Sequence, residues 1–207
     1  MEKVVIVDYG MGNLRSVEKA LESVGIDAFI SSKAEDIKNA KALVVPGVGA
    51  FGDAIKNLER LNLIDEILKS IEKGKAYLGI CLGLQILFEY GYEFGKHRGL
   101  SVLKGEVVRF EKREGYKIPH MGWNQIWKKK ESDIYKDIKD GEFFYFVHSF
   151  YVKPTDLDII ATTTDYTIDF CSSIQKDNIW AVQFHPEKSQ KAGLKLLRNF
   201  KEFVERS

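Results

Sequence analysis

The sequence predicts an α/β fold in which a mostly parallel sheet carries helices on both faces and antiparallel strands are added in the second half. Three observations predict it. Short β-branched runs alternate with helical patterns through the first half, and those runs are apolar throughout rather than at every second position; beyond about Gly105 strand-like patterns take over.

Val4 to Val7 reads as the first strand. Asn13 is placed to cap a helix with Val17, Ala20, Leu21 and Val24 on one face and Gly25 as its stop. A second strand is expected near Ala28 to Ile30, and a third at Leu43 to Val45, closed by Pro46-Gly47. A further helix shows Ile64, Ile67, Leu68 and Ile71 on one face and stops at Gly74. Tyr77 to Ile80 is an apolar strand leading into a helix over Leu82 to Tyr90. Gly105 to Phe110, Gly122 to Trp127, Phe143 to Val152, Ile159 to Thr163 and two runs flanking Lys176-Asp177-Asn178 read as strands. The last helix is expected to be capped by Ser189 and to face Leu196, Leu197, Phe200, Phe203 and Val204 inward. No repeat, low-complexity tract or linker interrupts the chain, so residues 1–207 read as one domain.

Lys plus Arg number 31 and Asp plus Glu 30, a net charge of +1 that gives no electrostatic case for nucleic acid or membrane as the main partner. The basic run Lys128 to Lys130 is followed by Glu131 and Asp133 and reads as a solvated turn. Two cysteines, Cys81 and Cys171, are too few for a disulfide framework and point to a reducing compartment. The longest uncharged stretch, Ala76 to Phe88, falls short of the ~20 residues of a spanning helix, and the N-terminal apolar run is too short for a signal-peptide core. A cytoplasmic location is the expectation.

Gly79-Ile80-Cys81-Leu82-Gly83 sets a cysteine between small residues where a strand turns into a helix. That is the pattern of a nucleophile elbow, in which strained backbone lifts the side chain above the sheet and glycines avoid clashes. The adjoining helix N-terminus would favour a thiolate. A free cysteine is also a common small core residue, and Cys171, without such a setting, is read that way. Among four histidines, His97 sits in a polar loop, while His120 and His148 follow apolar runs and fit core or site. His185 ends a strand in Phe184-His185-Pro186-Glu187, and residues two apart on a strand share a side, so Glu187 is expected beside the imidazole as its orienting acid.

Gly47-Val48-Gly49-Ala50-Phe51-Gly52 fits the dinucleotide-binding pattern, but the next strand ends in Cys81 where that fold wants an acid. Its N–H groups are instead expected to face Cys81 as half of an oxyanion hole, the Leu82 N–H supplying the other half. Gly10-Met11-Gly12-Asn13 is another loop on the same edge. Ile118 to Asn124 offers a methionine and a tryptophan between turn residues, a composition that suits a protein interface and equally a packed hairpin.

The elbow cysteine, the glycine-rich loop and His185-Pro186-Glu187 together resemble the class I, triad-type glutamine amidotransferases. Pro46 to Gly52, Gly79 to Gln85, Pro119 to Asn124, Phe146 to Ser149 and Phe184 to Ser189 are similar, in order, to the glutaminase subunits of imidazole glycerol phosphate synthase. Leu84 replaces a frequent methionine and Phe150 a frequent tyrosine, which removes a hydroxyl beside the glutamine pocket. The resemblance implies a flavodoxin-like sheet, a catalytic Cys81, His185 and Glu187, and an oxyanion hole from the N–H groups of Val48 and Leu82. It implies glutamine contacts from Gly47, Gly49, Gln85, His148, Ser149 and Phe150, and no metal or organic cofactor. It also implies a partner, a (β/α)8-barrel cyclase subunit docking near Asn13, Met121, Trp123 and Asn124 to receive ammonia and make imidazole glycerol phosphate and an aminoimidazole carboxamide ribotide. An amidotransferase subunit of another pathway and a cysteine hydrolase on the same scaffold are the rival readings.

Overall fold

The computed structural model describes residues 3–206. In chain order it runs β1 (Val4–Val7), α1 (Leu14–Ser23), β2 (Ala28–Ser31), α2 (Ala34–Asn39), β3 (Ala42–Gly47), α3 (Phe51–Arg60), α4 (Ile64–Glu72), β4 (Ala76–Cys81) and α5 (Leu82–Gln85). The second half adds β5 (Phe88–Gly91), β6 (His97–Arg98), β7 (Leu103–Arg109), β8 (His120–Gln125), β9 (Trp127–Lys128), β10 (Phe143–His148) and β11 (Phe150–Pro154). It closes with β12 (Ile160–Tyr166), β13 (Ile168–Lys176), β14 (Ile179–Val182) and α6 (Gln190–Arg206).

The main sheet runs β2-β1-β3-β4-β14-β13-β11-β7-β5-β6. Its first five strands are mutually parallel, and β13 then starts the antiparallel extension. The opening order 2-1-3-4 is that of a flavodoxin-like sheet, whose ligands collect at the carboxyl ends of the strands. The apolar runs are explained by burial on both faces. Val4 and Ile6 join one core with α1 and α6, whereas Val5 and Val7 join the other with α2, α3 and α4. Each fully buried Val or Ile contributes roughly 1.5–3 kcal/mol, so neither face of the central strands tolerates a polar residue.

Asn13 caps α1 as expected, its side-chain oxygen accepting from the Ser16 N–H at 3.4 Å. Three expectations are corrected. The helix expected over Leu82 to Tyr90 is a single turn followed by β5, because the carbonyls a longer helix would use are taken from outside: Leu100 N–H donates to Ile86 O, Leu103 N–H to Leu87 O and Ser101 N–H to Phe88 O. The strand expected over Phe143 to Val152 breaks at Ser149, sending β10 to pair with β8 in a separate two-stranded sheet and β11 to pair with β7 in the main one. The Ser189 hydroxyl does not serve α6 as a cap; it accepts from the Tyr145 N–H at 3.0 Å and donates to His185 O at 2.6 Å.

Candidate active site

The site lies at the carboxyl edge of three neighbouring strands. β3 and β4 pair in register to their last residues, so Gly47 stands opposite Cys81 and the glycine-rich loop leaves the sheet beside the thiol. β14 flanks β4 on the other side and delivers His185. Cys81 has φ 55° and ψ −104°, a left-handed conformation that costs a non-glycine residue about 1–3 kcal/mol and is held by the surrounding structure. The glycines around it are required: a Cβ on Gly83 would strike the Val45 carbonyl, and one on Gly79 the Gly83 carbonyl. The elbow expected from Gly79 to Gly83 is therefore present, although the helix behind it is only one turn long.

His185 and Glu187 are both about 3% exposed, with Nδ1 and Oε1 2.8 Å apart. Their proximity has a different origin from the expected one. β14 ends at Val182, and a 3-10 turn over Pro186–Lys188 brings the carboxylate back under the ring. Burial alone would push the imidazole pKa down, but negative charge at Cys81 and a hydrogen bond to it, followed by Glu187, hold it up at about 10. The ring is thus close enough to Cys81 for a thiolate to act on it, while Nε2 has no well-aligned hydrogen-bond partner among the described residues. The arrangement is an imidazolium beside a sulfur nucleophile, with a buried carboxylate fixing the tautomer.

A pocket of about 370 Å³ opens over Cys81 and is walled by Val48, Gly49 and Leu82, by Gln85, and by His148, Ser149 and Phe150 at the break between β10 and β11. All of these were singled out from the sequence. Gly47 sits behind this wall against Tyr9 rather than in it, since a Cβ there would collide with the Tyr9 hydroxyl. Gln85 is buried, and its amide donates to Phe150 O at 3.1 Å and to Gln183 Oε1 at 3.0 Å. The two nitrogens of the His148 ring are engaged by His120 and the Phe150 carbonyl.

Sequence reasoning missed Glu93 and Phe94 in the pocket wall. Glu93 Oε2 accepts from the Phe51 N–H at 3.0 Å, which anchors its carboxylate at the cavity. Nothing marks it in the sequence among neighbouring acids. Gln183, whose Nε2 approaches Cys81 Sγ at 3.5 Å, was also missed, as was Tyr9, a buried phenol with no hydrogen-bond partner among the described residues, whose pKa is raised by burial and by charge at Cys81. Of the residues expected at an interface, Met121 is 62% and Trp123 46% exposed; Asn13 is exposed and Asn124 half-buried. Cys171 is a buried core residue. Among the described residues no helix is long and apolar enough to cross a membrane, and no group of three or more His, Cys, Asp or Glu is placed to hold a metal ion.

Residues 5–203 match the sequence family described as glutamine amidotransferase class-I. The chain is 59% identical over 205 residues to the imidazole glycerol phosphate synthase subunit HisH of Aquifex aeolicus, covering 99% of this chain and 98% of that protein. It is 54% identical over 199 residues to the HisH of Caldanaerobacter subterraneus subsp. tengcongensis, covering 96% and 97%. A solved glutamine amidotransferase superimposes with a TM-score of 0.75 at 22% identity, over 97% of this chain and 98% of that one. The structure of PurLQS from Thermotoga maritima gives 0.76 at 19% identity, over 98% and 99%.

Proposed function

The chain belongs to the class I glutamine amidotransferases, and from that premise we propose that it is the glutaminase subunit of imidazole glycerol phosphate synthase, as the two HisH relatives above are named. It hydrolyses glutamine to glutamate and ammonia and passes the ammonia to a (β/α)8-barrel cyclase subunit in histidine biosynthesis. Residues 1–207 act as one amidotransferase domain, and the soluble intermediates of that pathway favour a cytoplasmic location.

The observation that carries the mechanism is Cys81 on a strained elbow beside a buried imidazole held by Glu187 at 2.8 Å. The Cys81 sulfur attacks the side-chain carboxamide carbon of glutamine. The carbonyl electrons move to an oxyanion, and the N–H groups assigned to receive it are those of Val48 and Leu82, two residues that line the pocket beside Cys81. Collapse breaks the C–N bond, and the His185 imidazolium gives its proton to the departing nitrogen, leaving a thioester and a neutral imidazole. That imidazole then takes a proton from water as the hydroxide adds to the thioester, and expulsion of the thiolate releases glutamate and restores the starting pair. The raised pKa of His185 suits this sequence, because the acid is loaded before the amide arrives.

At the pocket, the Glu93 carboxylate suits the α-amino group of glutamine. The segment His148 to Phe150 offers backbone groups to the α-carboxylate end, and Gln85 braces that segment through Phe150 O. Met121 and Trp123, two apart on β8 and both exposed, set two large apolar side chains on one face of that strand, which supports β8 as the face that meets the cyclase, with Asn124 and Asn13 at its margin. The test is ammonia release from glutamine by the chain with and without the cyclase subunit, for wild type and Cys81→Ala. Glutamine-dependent release that survives Cys81→Ala would overturn the nucleophile assignment. The chain alone is expected to be a poor glutaminase, and release at full rate without the cyclase would overturn that expectation.

A further inference from the structure

The two buried histidines that the mechanism leaves idle form a chain in which every hydrogen has one possible place. Phe150 O is an acceptor only, so His148 Nδ1, 2.7 Å away, carries a proton. Burial keeps both rings neutral, with His148 pushed down to about 3 and His120 to about 4, so His148 Nε2 is a bare lone pair. His120 Nδ1, at 3.0 Å, is then the donor to it. This leaves His120 Nε2 as an acceptor for the Asn124 amide at 3.2 Å. The same amide donates to Asp165 O at 3.0 Å, and Asn124 Oδ1 accepts from the Gln125 N–H, which fixes its orientation.

The chain does not end at Phe150. Its carbonyl also receives Gln85 Nε2, the Gln85 amide donates to Gln183, and Gln183 reaches the Cys81 sulfur. The run of hydrogen bonds thus spans from Asn124, half-buried on the side of β8 opposite Trp123, to the nucleophile. His120 cannot turn freely within it, since its ring lies between Phe146 at 4.8 Å and Tyr166 at 3.9 Å, stacked on both.

We propose that His120 and His148 are positioning residues, a one-way hydrogen-bond relay that carries the state of the Asn124 amide to the Phe150 carbonyl in the wall of the glutamine pocket. The proposal rests on the reading of that pocket as the glutamine site and of β8 as the docking face. Its consequence is directional. A docked group that engages Asn124 alters what His120 Nε2 receives, and the change arrives at the carbonyl shared by His148 and Gln85, so substrate binding senses the partner without any movement of Cys81.

The experiment has two arms. In the first, 15N-histidine NMR of the wild-type chain at neutral pH reads the tautomers, and the relay requires His120 and His148 both to be neutral and protonated on Nδ1. Protonation of either ring on Nε2 alone overturns it, whether or not the chain proves to be a glutaminase. In the second, glutamine kinetics of the complex are compared for wild type, His120→Phe and His120→Asn. The Phe variant keeps the stacked ring and deletes the relay; the Asn variant keeps a donor near the Nδ1 position. His120→Phe should raise KM for glutamine about tenfold with kcat changed less than about threefold, and His120→Asn should recover most of the loss. An unchanged KM in His120→Phe, or equal losses in kcat and in melting temperature with no recovery by Asn, overturns the relay and leaves a packing role. A wild-type complex that releases no ammonia from glutamine would instead sink the functional reading, with the tautomer arm still standing.

Discussion

The neutral histidine pair makes the fold acid-sensitive in a window that can be calculated. His120 and His148 are pushed down by burial from the ordinary 6.5 to about 4 and about 3, so below pH 6.5 the unfolded chain takes up two protons that the folded chain refuses. A group depressed on folding stabilises the fold fully above its unfolded pKa and loses that contribution as pH falls toward the folded value. Between pH 6.5 and 5 each histidine therefore costs about 1.5 units at 1.36 kcal/mol per unit, roughly 2 kcal/mol, and the pair roughly 4 kcal/mol. His185 works the other way. Its folded pKa is raised, so its contribution is fully present below 6.5 and fades only as pH rises toward about 10. Urea unfolding of wild type and His120→Asn at several values from pH 7 to 5 separates these effects, because His185 and the carboxylates are common to both. Wild type should lose about 2 kcal/mol more than the variant over that range. Parallel curves would mean that His120 titrates alike in both states, and the burial argument would fail.

Three further outcomes follow from single contacts. Glu187→Gln should lower kcat of the complex by ~10²–10⁴ with a much smaller change in KM, since the amide no longer stabilises the imidazolium; steady-state ammonia release checks it, and an unchanged kcat would remove Glu187 from the triad. Ser189→Ala should cost about 1–2 kcal/mol in urea, because it strands the half-buried Tyr145 N–H and takes a donor from His185 O; a loss under ~0.5 kcal/mol would mean those bonds are not formed in solution. Tyr9→Phe should leave the melting temperature unchanged or raise it, since the hydroxyl it removes is buried without a partner; a marked fall would expose a partner for that group.

Much of the site was legible because its chemistry is local. An elbow needs small residues two positions either side of the nucleophile, and Gly79 and Gly83 record that need; the parallel sheet was legible because β1, β3 and β4 are buried on both faces. What was not legible depends on contacts far along the chain. Helix α5 stops after one turn because Leu100, Ser101 and Leu103 take the carbonyls of Ile86, Phe88 and Leu87 that would continue it, and no helical period reports that. Ser189 has the composition of a cap, yet the Tyr145 N–H and His185 O compete successfully for its hydroxyl. His185 and Glu187 were paired correctly on a wrong premise, since a 3-10 turn and not strand alternation unites them. Helix α2 escaped notice because six residues with only Ile37 buried hold too little periodicity to register.

The break at Ser149 places the proposed docking residues and a wall of the pocket on one small sheet. Had Phe143 to Val152 run on as one strand, β8 would have had no separate partner, and Met121 and Trp123 would lie in the main sheet. Instead β10 pairs with β8 alone, with Trp123 opposite Tyr145 and His120 opposite His148. Tyr145 O accepts the His185 N–H at 2.9 Å, and Tyr145 N–H donates to the hydroxyl that also holds His185 O. One pair of neighbouring strands therefore links the exposed Trp123 to the His185 imidazole, and on the opposite face of the same two strands the pair His120–His148 links Asn124 to the Phe150 carbonyl. If the cyclase docks on β8 as proposed, it has two routes inward, to His185 through the backbone and to the pocket wall through the side chains. The two routes are separable, since His120→Phe cuts the second and leaves every backbone bond of the first in place.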